Sequence, residues 1–340
     1  LSSSSAASDV YKRQGKGGGG MTATELKKNI YGDDVKIISR TDDCTVYRLE
    51  NGAGYIDMTC YSVFPGIDLV YADVHMHGNF RENAKPGNIF ELNHCREGRF
   101  ECEFEKGSCY LGPGDLTVCC KPDSGYGSSF PLGYYRGITI VVDVDKTPEC
   151  LSYVLGDVNV DPKQLMSRFY AGGRGYISRS DPAIDHIFSE LYSGVPENIR
   201  KGYFKVKILE LFLFLSALDL ENDSGKDDFV SRPQVNLAKS VCGYLTEHMD
   251  SHVTLDTLCG LFHASGTSIK NSFRSVYGES IYSYIRTLKM QSAAHMLKTT
   301  DKSVLEIAGA FGYNNGSKFA KAFRDVCGVS PNEYRQSADK

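Results

Sequence analysis

Two stretches near the carboxyl end decide the fold. They are TLDTLCGLFHASGTSIKNSFRSVYGES, residues 254–280, and SVLEIAGAFGYNNGSKFAKAFRDVCGVSP, residues 303–331. Each reads as a short helix, a tight turn, a second helix with one apolar stripe, and a Gly that stops it. In the first, Thr254 is placed to cap a helix whose Leu255, Leu258 and Leu261 are expected to point inward. His263-Ala264 form the turn, Ser265 caps the next helix, and Ile269 and Phe273 anchor it. Gly278 ends it, because the residue after a helix commonly turns left-handed and glycine does so without penalty. In the second stretch Ser303 and Glu306 form a capping box, and Ile307, Ala308 and Phe311 pack the short helix. Gly312-Tyr313 make the turn, Asn315 caps, Phe319 and Phe323 anchor, and Gly328 stops the helix. Ser330-Pro331-Asn332-Glu333 then opens one more helix, with Pro at the first position, where its missing N–H is no loss.

Working outward, a helix over roughly 234–249 precedes these units, with Ala238, Val241, Leu245 and Met249 on one face. Another, from about Ile281 to Leu297, joins them, with Tyr284, Leu288, Ala294 and Leu297 inward. At 1.5 Å per residue it spans on the order of 25 Å. Since the anchors face in, their neighbours face out. In the first unit these are Thr267, Lys270, Asn271 and Arg274; in the second, Gly316, Ser317, Lys318, Lys321 and Arg324. Lys and Asn suit base edges, and Lys and Arg neutralise phosphates. One such face could be the solvated side of an ordinary helical domain. Two, with consistent caps, can enter successive major-groove segments of double-stranded DNA.

The chain is 41% hydrophobic and 24% charged, so it is globular, and its net charge of −4 argues against a protein that coats nucleic acid along its length. The sign is uneven. Residues 235–340 hold 12 Lys and Arg against 9 Asp and Glu, a balance of +3; the remainder holds 26 against 33, a balance of −7. An acidic front and a mildly basic back suit a sensor joined to a DNA reader. The basic excess is small, so base contacts and pairing of two copies must supplement phosphate attraction. Eleven cysteines follow no small-domain disulfide framework and are expected to be reduced core residues of a cytoplasmic protein. No run reaches the roughly 18 apolar residues of a membrane span.

Upstream, residues 1–20 are Ser-rich and then Gly-rich, and are read as a disordered extension or an artefact before Met21. From Val46 to Val144 the pattern is strand-like: 55–64, 67–76, 88–95, 99–111, 115–120 and 137–144, with turn signals such as Pro65-Gly66 and Gly112-Pro113-Gly114-Asp115. Short strands at this rhythm predict an antiparallel barrel or jelly roll. The period then changes, and helices are predicted over 181–195 and 200–220. In the latter, Phe204, Ile208, Leu211, Leu215 and Leu218 form a coiled-coil-like seam, suited to the sensor's own core or to a second copy. Residues 221–233, ENDSGKDDFVSRP, read as a linker. Gly172-Gly173-Arg174-Gly175 lacks the Gly-Lys-Ser/Thr ending of a phosphate loop and reads as a turn.

The segment 235–336 resembles the DNA-binding domain of AraC/XylS-type transcriptional regulators. The matching residues are Leu255, Ser265, Ile269, Phe273, Gly278, Tyr284, Ala294, Leu297, Ile307, Ala308, Gly312-Tyr313, Phe319, Phe323, Gly328-Val329-Ser330-Pro331 and Tyr334-Arg335. Cys259 stands where an Ala is common, and Gly312-Tyr313 replaces the usual Gly-Phe. Ala320 and Gly316 lie where polar readers are frequent, so the second helix is expected to read fewer bases. The resemblance implies sequence-specific promoter binding, effector control and a dimer. The strand-rich part is similar to the cupin-like sensing domain of the same family.

Within it, His75-Met76-His77 followed by Glu82 resembles the first metal motif of cupins. The partner motif should supply another His after the Pro-Gly turn, where this chain has Asp115-Leu-Thr-Val-Cys-Cys. No metal and no cofactor are therefore expected; His75, His77, Glu91, Asn93 and His94 are candidate effector contacts instead. The combined expectation is an α+β chain. Residues 21–220 form a cupin-like or jelly-roll-like antiparallel β-barrel with helices, 221–233 the linker and 234–337 an all-α tandem helix-turn-helix domain. Such a chain is not an enzyme. Its partners are promoter DNA, a small-molecule effector, a second copy of itself and, if it activates, RNA polymerase; no membrane is involved. The alternative is a metal-dependent cupin enzyme with a DNA-binding appendage.

Overall fold

The computed structural model describes residues 35–76, 79–81, 88–104, 107–120, 127–152, 160–170, 176–179, 181–218, 220 and 229–336. His77, Glu82, Gly172–Gly175, residues 1–20 and most of the expected linker lie outside them.

Twelve described strands form two antiparallel sheets. In chain order they are β1 (Val35–Arg40), β2 (Cys44–Asn51), β3 (Gly54–Phe64), β4 (Ile67–Met76), β5 (Asn79–Arg81), β6 (Ile89–Gly98), β7 (Phe100–Phe104), β8 (Gly107–Leu111), β9 (Leu116–Cys120), β10 (Gly127–Ser129), β11 (Tyr134–Asp143) and β12 (Tyr176–Ser178). The larger sheet runs β1-β2-β3-β4-β11-β6-β9-β12 and the smaller β5-β10-β7-β8. Helices α1 (Pro162–Tyr170), α2 (Pro182–Leu191) and α3 (Glu197–Ala217) follow.

The apolar pattern explains the layers. Successive strand residues point to opposite faces. In β11, Ile138, Ile140 and Val142 join the core under α1–α3, while Tyr135 and Val141 join the core between the sheets. β6 divides likewise, Phe90 and Leu92 toward the helices and Ile89 and Cys95 toward the smaller sheet. A strand buried on both faces reads as a nearly continuous apolar run. The seam predicted on α3 is also accounted for: Phe204, Ile208, Leu211 and Leu215 lie in the chain's own core.

The sheets stack as an open sandwich, which agrees with the expected cupin-like, jelly-roll-like antiparallel architecture without closing into a ring. Closure needs an uninterrupted hydrogen-bonded ring; among the described residues β1 and β12 are unpaired edges of the larger sheet. Several elements lie outside the strands and helices named from sequence. β1 precedes the strand-like region and buries only Val35, with Ile37 and Ile38 exposed. β2 is not named as a separate strand; β5, β10 and β12 are three residues each, and α1 is nine.

The carboxyl-terminal half comprises α4 (Arg232–Glu247), α5 (Leu255–Phe262), α6 (Gly266–Tyr277), α7 (Ile281–Thr299), α8 (Val304–Ala310), α9 (Gly316–Cys327) and α10 (Pro331–Gln336). The capping predictions hold. Thr254, Ser265, Ser303 and Asn315 each accept from a backbone N–H of the next turn, and Gly278 and Gly328 end their helices left-handed. Three packing assignments are corrected. Leu261 is 48% exposed, because the inward face of α5 runs through Leu255, Leu258, Cys259 and Phe262, and Leu261 falls off that spacing. On α7, Met290 and Ala293 are buried, whereas Leu288 is only partly so. Helix α7 serves both units: Ile281, Tyr284 and Ile285 pack in the first core, and Met290, Ala294 and Leu297 in the second. Met249, assigned to the α4 face, packs instead against the second core.

Candidate nucleic-acid interface

The two units are built to the same local plan. Ser265 Oγ accepts from Ser268 N at 3.1 Å; Asn315 Oδ1 accepts from Ser317 N at 2.9 Å and Lys318 N at 3.1 Å. These bonds satisfy N–H groups that a helix start leaves orphaned. From each cap a 12-residue helix runs. Its buried stripe, Ile269, Phe273 and Val276 in α6 and Phe319, Ala322 and Phe323 in α9, leaves one other stripe outside.

That outer stripe holds the expected readers. Thr267, Lys270, Asn271 and Arg274 are exposed on α6, as are Ser317, Lys318, Lys321 and Arg324 on α9. Gly316 is half-buried at the first position of α9, near Leu305. Among the described residues no carboxylate forms a salt bridge with Lys270, Arg274, Lys318 or Lys321, so these cations remain available to an outside anion. Arg286 of α7, by contrast, pairs with Asp325 of α9.

The first stripe forms one wall of a groove of about 830 Å³. The opposite wall carries Tyr282, Arg286 and Lys289 of α7, and His248 and His252 flank it. Tyr282 is 76% exposed. The sequence reading missed these groove residues; the polar side of α7, where Arg286 and Lys289 lie three apart, was the available signal. Lys289 also ties α7 to the second unit, since its Nζ donates to Phe311 O at 3.1 Å. Burial pushes its ammonium below the usual lysine range, against the pull of Asp250. At the same joint Gly312 adopts φ 77° with its Cβ position 2.6 Å from Asp250 O, so a side chain there would collide with backbone.

The proposed effector residues are only partly brought together. Glu91 and Asn93 alternate on the inner face of β6 and are buried. Asn93 Oδ1 accepts from Thr139 Oγ1 at 2.8 Å, and its Nδ2 lies 3.8 Å from Cys119 Sγ. His94 points to the opposite face, stacked on Phe188 of α2 with centroids 4.0 Å apart, and its Nε2 lies 3.6 Å from Asp185. Burial pushes its pKa below the usual imidazole value, although Asp185 and Asp115 pull the other way. His75 is on the outer surface, 2.9 Å from Asp73. Among the described residues no three His, Cys, Asp or Glu side chains are grouped to hold a metal ion, and no helix is long and apolar enough to cross a membrane.

Residues 258–337 match a family model described as a helix-turn-helix domain. The chain is 33% identical over 107 residues to the raffinose operon transcriptional regulatory protein RafR of Pediococcus pentosaceus, 32% of this chain and 38% of that protein. It is 32% identical over 165 residues to the HTH-type transcriptional regulator MtrA of Neisseria gonorrhoeae, 47% of this chain and 55% of that one. The matches thus span less than two thirds of either relative. Among solved structures, the C-terminal domain of AraT, a response regulator from Geobacillus stearothermophilus, is 29% identical. It covers 32% of this chain and 88% of that one, with a TM-score of 0.29.

Proposed function

We propose, on the premise that residues 258–337 form an AraC-type helix-turn-helix domain, that the chain is a sequence-specific DNA-binding transcriptional regulator. One observation carries the reading: two capped helices of equal length, mounted on one connecting helix, each present an exposed polar, basic stripe, Thr267, Lys270, Asn271 and Arg274 on α6 and Ser317, Lys318, Lys321 and Arg324 on α9. The α6 stripe reads base edges through Lys270 and Asn271, while Arg274 and Arg324 hold phosphates. The sheets form a sensing half in which a small molecule is bound near Glu91 and Asn93. Such a ligand acts by preferring one arrangement of the two halves, since equal affinity for both would shift nothing. The reading includes a second copy of the chain, supported by the exposed Ile199, Val206 and Phe214 on α3. It places the protein in the cytoplasm, with RNA polymerase as a further partner if it activates.

The test is selection from a randomised duplex pool with the full chain. Recovery of a motif with two conserved segments about one helical turn apart, roughly 34 Å, is expected. Arg274→Ala should weaken every duplex alike and flatten the log-affinity against log-salt slope by about 0.9 for one lost phosphate contact. A chain that enriches no sequence over random competitor in low salt refutes the reading.

A further inference from the structure

Arg99, between β6 and β7, belongs by sequence to the sheet half. Its guanidinium nevertheless reaches the helical half, where Nε donates to Val276 O at 2.6 Å and Nη2 donates to Ser275 O. Both carbonyls lie in the last turn of α6, where a helix leaves its C=O groups without N–H partners. A cation there also meets the negative end of the helix dipole. Gly278 makes the approach possible, since a Cβ on it would stand 2.9 Å from Arg99 Nη1.

The clamp is one edge of a larger joint. Arg99 stands 5.6 Å from the ring centre of Tyr110, which is buried in one core with Ile269, Phe273 and Val276. Glu101 collects Tyr110 Oη at 2.7 Å, Ser129 Oγ, and Lys239 Nζ of α4 at 2.9 Å. Ser108 and Val230 pair through their backbones. The opposite face of the same β7–β8 hairpin, Cys102, Cys109 and Leu111, lies in the core between the sheets. The hairpin therefore has one face in each half of the molecule. Helix α9 has no counterpart: nothing lies within 4 Å of the Cβ position of Gly328, and among the described residues no sheet side chain bonds to its last turn.

We infer that Arg99 is a positioning residue for DNA reading, setting the pose of α6 and not of α9, so that a shift of the β7–β8 hairpin changes reading at one half-site only. The inference rests on the DNA-reading function proposed above.

The test uses full-length Arg99→Ala and Arg99→Lys in the same duplex selection, with the half-site of α6 identified as the one relaxed by Lys270→Ala. Arg99→Ala should lower base discrimination at that half-site about tenfold and leave the other within about twofold. Arg99→Lys, which keeps the charge but loses the two-pronged fork, should fall between. Amide exchange should quicken at residues 275–278 and stay unchanged at 325–328. Loss at both half-sites together, or at neither, overturns the inference. A wild-type chain that selects no sequence removes the DNA-reading premise, and the inference with it. Unchanged exchange at 275–278 refutes the clamp itself, whatever the DNA result.

Discussion

The two helix-turn-helix units repeat one another at a spacing of fifty residues across their second helices: Ser265 with Asn315, Phe273 with Phe323, Arg274 with Arg324, Gly278 with Gly328. Their surroundings differ. The first unit takes Tyr110 from the sheets into its core and has Arg99 on its last turn; the second is completed by α7, α10 and Met249, with no sheet residue among the described residues of its core. Their turns also differ, His263 standing left-handed at φ 50° in the first and Gly312 at φ 77° in the second. Local code makes the two units alike, and among the described residues tertiary neighbours tie the first of them, not the second, to the sheet half.

The largest expected effect probes that asymmetry directly. Phe273 and Phe323 are both fully buried, and replacing either with Ala should cost about 3–5 kcal/mol in denaturant unfolding. Phe273→Ala should also speed amide exchange in β7 and β8, because Tyr110 loses its partner; Phe323→Ala should leave those strands protected. Equal protection in both variants would erase the distinction.

Next in size is recognition. Lys270 in α6 corresponds to Ala320 in α9. Lys270→Ala should lose about 1–3 kcal/mol of base discrimination at its half-site, making the two half-sites nearly equal in information. A selected motif already symmetric in the wild type would count against the assignment.

Smaller still are the caps. Ser265→Ala and Asn315→Ala should each cost about 1 kcal/mol in thermal unfolding, with Asn315 the costlier because it receives two N–H groups. Comparable losses would show that the second bond adds nothing.

The smallest effect is on pH. Burial opposes the charge of Glu101, but donors from Ser129, Lys239 and Tyr110 prevail and hold its carboxyl below the usual range. A depressed carboxyl stabilises the fold above its unfolded pKa, and that contribution disappears as pH falls through the lower folded value. Stability should therefore drop on the acid side, and Glu101→Gln should flatten that limb of a melting-temperature profile. An unaltered limb would mean that the Glu101–Lys239 contact contributes nothing.

The reader half was legible because its determinants are short-range. A cap, an anchor and a stopping Gly lie within about 14 residues of one another, so Ser265, Phe273 and Gly278 announce a helix without reference to anything distant. The sheet half was legible as alternating strands but not as a site. His75 and Glu91 both look polar and strand-borne, and only the register shows one outside and the other inside. The joint was not legible. Arg99 and Ser275 are 176 residues apart, and an Arg at a strand start carries no local sign that it will bond to a distant helix end.

Tyr110 has a practical consequence for chimeras. A reader excised at the interdomain boundary and grafted to a foreign sensor would carry a gap where a buried aromatic ring belongs. By the cost of large-to-small core truncation, that gap removes about 3–5 kcal/mol from the unit nearest the fusion point. A transplant that includes the hairpin from Arg99 to Leu111, or that supplies an aromatic wedge of its own, should hold together where a clean cut does not.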